Sequence, residues 1–112
     1  MIEIPYAFAT VAQMSFAEFE QSIVQDNVPP AGSSLSLQAL WHDARGDWTQ
    51  AHTCAQVEPG RDGSWVHAYL HRKEGDLGNA GYWYARAGRK TPAQSVTLET
   101  EWAEIARELL SR

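Results

Sequence analysis

From Leu35 onward the apolar and polar positions follow a helical rhythm that is interrupted twice by the same Gly-Asp pair. Leu37, Leu40, Trp41 and Ala44 recur at three- and four-residue spacing and therefore share one stripe of a helix. Val66, Tyr69 and Leu70 form the counterpart stripe. Setting residues 37–51 above residues 66–80 brings Ala39 onto Ala68, His42 onto His71, Gly46 onto Gly75, Asp47 onto Asp76 and Ala51 onto Ala80, always at an offset of 29. Each match has a mechanical role. The glycine closes a helix in a left-handed conformation that side chains resist. The aspartate caps the next helix, and the alanine lets the two helices approach closely. The pattern predicts two consecutive antiparallel helical hairpins, over about residues 35–58 and 64–87.

The flanks read as helices too. Ser15 and Glu18 have the spacing of a capping box, followed by Phe16, Phe19 and Ile23 on one face, which predicts a helix over residues 16–25. Residues 2–14, with Pro5 near their start, read as an extended arm leading into that helix. Residues 27–34 contain Pro29, Pro30 and Gly32 and break the helical pattern. Residues 58–64 form a second turn cluster, with Asp62 or Ser64 expected to cap the helix that follows. Gly88 is placed to end a helix over residues 77–87. Leu98, Trp102, Ile105 and Leu109 then mark a last amphipathic helix, over about residues 97–111, expected to cap the open face of the final hairpin. The fold class is all-α, in one domain over residues 1–112.

Composition sharpens this only in places. Five Trp, four Tyr and three Phe supply large buried surfaces for a chain of 112 residues. The net charge of −5 argues against general affinity for nucleic acid or an anionic membrane. That charge is segregated: the first 60 residues carry seven acids and Arg45 alone, while residues 61–90 carry six bases against three acids. Complementary surfaces within the fold are the expected outcome, with an anion site near Arg86, Arg89 and Lys90 as the sharper alternative. Cys54 is the lone cysteine, which excludes an intrachain disulfide and a cysteine-based zinc site. No basic n-region precedes an apolar run at the start, and no stretch is long enough to span a bilayer, so a cytoplasmic location is expected.

The strings Gly46-Asp47-Trp48-Thr49-Gln50-Ala51 and Gly75-Asp76-Leu77-Gly78-Asn79-Ala80 resemble the hairpin turn of tetratricopeptide repeats. Ala68, Gly75, Ala80 and Tyr84 stand at the spacing of that family's packing positions. The period departs from the family, being 29 against about 34. Polar Gln38, His42, His67 and His71 also stand where the family carries large apolar side chains. The aromatic and histidine-rich stretches around Trp41, Trp65 and Tyr82-Trp83-Tyr84 are similar to those of small bacterial proteins, a resemblance that implies a fold and no activity.

Candidate chemistry centres on the first helix of each hairpin. His67, His71 and Glu74 fall on the face opposite Val66, Tyr69 and Leu70, and the histidines' four-residue spacing suits a shared divalent ion with Glu74, His42 or His52 as third ligand. A solvated polar face would show the same pattern, and that plainer reading is the one expected. A hydrolytic reading would use His67 or His71 as general base, oriented by Glu74, Asp43 or Asp76, but no nucleophile accompanies them. Cys54 reads as a packed small residue, and no phosphate-binding loop is present. No catalytic set and no cofactor are expected. Tyr82 and Arg86, four apart and with Trp83 at their edge, could stack a planar group or hold a carboxylate. The leading expectation is a protein-interaction or self-association module, a homodimer through the aromatic face being its simplest form. The alternative is a small-molecule or metal site using His42, His67, His71, Glu74, Tyr82 and Arg86.

Overall fold

The computed structural model describes residues 10–112, so residues 2–9 of the arm expected over 2–14 lie outside them. Among the described residues there are six α-helices and no strand: α1 (Phe16–Gln25), α2 (Leu35–Ala44), α3 (Trp48–Val57), α4 (Arg61–Lys73), α5 (Leu77–Ala87) and α6 (Leu98–Leu110). None is long and apolar enough to cross a membrane. Residues 10–14 contain one short 3-10 turn, tied to the proline-rich loop by a hydrogen bond from the Val11 amide to the Ala31 carbonyl (2.9 Å).

The repeat is real at the level of atoms. Gly46 and Gly75 sit at φ +83° and +87°, the left-handed region that favours glycine. Asp47 then accepts from the Gln50 amide and Asp76 from the Asn79 amide, satisfying a free donor at the start of each second helix. The Asp47 and Asp76 amides reach back to the carbonyls of His42 and His71, so both bends close through the same bonds. Ala51 and Ala80 are buried where α3 meets α2 and α5 meets α4. The capping box at Ser15 and Glu18 forms as expected.

Two expectations shift. The helix after the turn cluster begins at Arg61, with Gly60 (φ +94°) as its N-cap, so neither Asp62 nor Ser64 caps it. Asp62 instead pairs with Arg112 (2.8 Å), and the Ser64 hydroxyl donates back to the Gly60 carbonyl (3.1 Å). Helix α6 packs along α2 and α4, the first helices of both copies, and also touches α1, so it closes both hairpins and not the last alone. Trp102 explains why: its ring packs between Phe16 and Phe19, and its Nε1–H donates to the Leu40 carbonyl (3.0 Å).

Among the described residues one ion pair joins the two charged regions, Lys73 with Asp43 (2.9 Å), while Arg72 and Arg89 pair with Glu101 and Glu108 of α6. Gly63 marks the tightest passage between α3 and α4, since a Cβ there would lie 2.3 Å from the Glu58 carbonyl oxygen. Gly63→Ala is expected to cost about 1–3 kcal/mol in a urea titration, whereas Gly81→Ala, where a Cβ meets nothing within 4 Å, should stabilise α5 by about 0.5–1 kcal/mol. Equal effects at the two positions would refute this packing.

Candidate metal centre

The face of α4 expected to be solvated is covered. His67 and His71 are 5% and 7% exposed, because α3 lies on one side of that face and α5 on the other. The reason lies in the stacking of the hairpins. The second helix of the first copy packs against the first helix of the second, so α4 has neighbours on both its stripes.

This packing brings a third histidine in. His52, on α3, places its Nε2 2.9 Å from the His67 Nε2, and the rings of His52 and His71 lie 5.3 Å apart. One ligand nitrogen from each of His52, His67 and His71 lies within 4.8 Å of the others. Two imidazole nitrogens at 2.9 Å share a proton in the metal-free chain, one donating and the other accepting. The nitrogens of a tetrahedral zinc site, each about 2.1 Å from the ion, stand about 3.4 Å apart. The cluster brackets that size, with one pair at 2.9 Å and all three nitrogens within 4.8 Å of one another.

The surroundings suit the purpose. The His71 Nδ1–H donates to the Glu74 carboxylate (2.6 Å), which fixes the ring and leaves Nε2 as its unprotonated nitrogen. The Asn79 side-chain amide lies 3.4 Å from that Nε2. Trp48 stacks on His52 (centroids 4.9 Å apart) and Trp83 stacks on His67 (4.0 Å), so an indole packs on each of these two rings. Burial, followed by the neighbouring His52 and His71, pushes the His67 imidazole down to about 4, and burial lowers His52 as well. Both are therefore neutral at neutral pH, the form that binds metals.

Other expected site residues fall elsewhere. His42 repeats His71 in sequence, but its ring sits edge-on to Trp41, away from the cluster. No histidine-bearing helix precedes α2 as α3 precedes α4. Asp76 is occupied in capping α5. Tyr82 is exposed, accepts a hydrogen bond from Arg86 (3.1 Å), and sits edge-on to Trp83, which makes the pair an outer border of the cluster. Arg86 and Arg89 do not converge: Arg89 lies over Trp65 (3.7 Å) and pairs with Glu108. Cys54 is buried, which pushes its thiol up and leaves it inert.

In the sequence His52 stands only as one of several possible third ligands, Trp83 only at the edge of the Tyr82–Arg86 face, and Trp48 carries no site role. The signal available was a break in the repeat, since His52 stands where the second copy has Gly81 and Trp83 where the first has Cys54. Comparison with protein-family models, with curated proteins and with solved structures finds no match, so the reading of this centre rests on its geometry.

Proposed function

We propose that this chain binds a divalent transition-metal ion of the zinc class through His52, His67 and His71, with Glu74 orienting His71 from outside the coordination shell. The observation that carries this reading is the convergence of three imidazole nitrogens from two helices within 4.8 Å. Three neutral nitrogen ligands suit zinc, cobalt, nickel or copper and not calcium or magnesium, which favour oxygen. They leave one tetrahedral position for water or an exogenous ligand. Glu74 is held by His71, so it serves as a positioning residue.

Calorimetric titration of untagged, chelator-treated protein with zinc chloride tests this. A single ion per chain is expected, with binding lost in His67→Ala and His71→Ala. Glu74→Gln should retain binding but weaken it by about ten- to a hundredfold. Absence of binding by the wild-type chain, or full binding by both alanine variants, overturns the reading.

Self-association, with its tetratricopeptide-like hairpins, stands second. What favours it is the exposure of Val57, Leu77 and Tyr82. Trp65, Trp83 and Trp102, however, are engaged inside the chain. A mass that rises with concentration in light scattering is the expected signature, and a constant monomer mass removes it.

A further inference from the structure

On the opposite side of α4 from the histidines lies a cleft of about 500 Å³, formed by α1, α2, α4 and α6. Tyr69 and Lys73 face it, each two residues on from His67 and His71 and so about 200° around the helix. Phe16, Ile23, Leu98 and Trp102 supply apolar and aromatic walls. Ala44 and Ala103 leave room between them.

The polar groups are of one dominant sign. Asp43 lines the cleft, 3% exposed, with the Lys73 ammonium on one carboxylate oxygen (2.9 Å) and only a long Tyr69 hydroxyl contact (3.3 Å) on the other. Both carboxylate oxygens are therefore engaged within the chain. Lys73 is itself well exposed, so it reaches the carboxylate from the solvent side. Glu20 and Glu99 also line the cleft, and among the described residues neither has an ion-pair partner. Three carboxylates against one ammonium leave the cleft with a formal charge of −2. The Phe16 ring already carries the Arg107 guanidinium (4.3 Å), so Trp102 is the aromatic wall left to attract a further cation.

We infer that this cleft is a binding site for a small organic ammonium ion carrying an apolar, planar body. Its charged head would meet the Glu20 and Glu99 carboxylates, and its body would lie against the wall formed by Ile23, Leu98 and Trp102. This site is separate from the metal centre and stands whether or not the chain holds a metal. A carboxylate ligand of the same shape is excluded by the charge, and a neutral one gains nothing from it.

Tryptamine and indole-3-propionate share a ring system and differ in the sign of the head group, so the pair tests the inference directly. Tryptamine is expected to bind saturably and to shift the Trp102 indole N–H resonance, while indole-3-propionate leaves that resonance unmoved. Glu20→Gln with Glu99→Gln, both exposed and safe for folding, should weaken tryptamine by about tenfold. Ala103→Phe should block it, and His67→Ala should leave it unchanged. Failure of tryptamine to bind, equal binding of both probes, or affinity unaltered in the double glutamine variant overturns the inference.

Discussion

Replacing Glu101 by alanine is expected to remove about 3–5 kcal/mol of stability, the cost of leaving a buried charge without its partner. Glu101 projects from α6 and is 2% exposed. One of its oxygens accepts from Arg72 on α4 (2.8 Å) and the other from the Tyr84 hydroxyl on α5 (2.5 Å). Arg72 also donates to the Val96 carbonyl in the loop before α6, so a single carboxylate holds three helices and a loop in register. Burial and that hydrogen bond hold the Tyr84 hydroxyl far above its ordinary range, so it stays a neutral donor. The alanine variant strands the guanidinium and the phenol together. Small domains have about 5–15 kcal/mol in total, so a large fall in the urea midpoint should result. Glu101→Gln, which keeps an acceptor, should cost less. A loss below about 1 kcal/mol for the alanine variant would mean that Arg72 finds solvent easily and the network is not structural.

The second large effect is acid sensitivity of the metal-free chain. The His67 imidazole takes its proton near 6.5 in an unfolded chain and only at about 4 in the fold. Between those values the unfolded state holds more protons, so stability falls as pH falls. Above 6.5 neither state is protonated there and nothing is lost; below about 4 the loss is complete. Its limit is about 3 kcal/mol, at 1.36 kcal/mol for each unit of displacement. His52 moves in the same direction, since its folded imidazole is also lowered. Urea midpoints measured from pH 6.5 down to 4 should decline in the wild-type chain and decline much less in His67→Ala. Equal declines in both would place the acid sensitivity elsewhere.

How much of this was written in the sequence depends on whether the cause is local. The bends at Gly46-Asp47 and Gly75-Asp76 could be read from residue type, because a left-handed turn and a side-chain cap need only neighbours in the chain. The capping box of α1 and the stripe of α6 were legible for the same reason. The start of α4 was not. Asp62 and Ser64 are good caps by propensity, yet Arg112, fifty residues away, claims Asp62.

The site was half legible. The spacing of His67 and His71 was visible, but a helical wheel cannot tell a solvated polar face from one covered by neighbouring helices. His42 is a candidate third ligand by residue type, while its match with His71 in the repeat points to a shared structural role; the repeat says little of what packs against each face. His52 enters only through the stacking of α3 on α4, a tertiary fact. Asp43 was weighed as an orienting acid and Glu101 not at all, since the partners of both, Lys73 and Arg72, lie about thirty residues off along the chain.

Cobalt(II) titration followed by visible absorption tests the metal centre most directly, because the spectrum reports geometry as well as binding. The three-histidine arrangement predicts an intense tetrahedral band that saturates at one ion per chain and is absent from His67→Ala. A spectrum that stays at the weak absorption of hydrated cobalt, or a band that persists without His67, would contradict it.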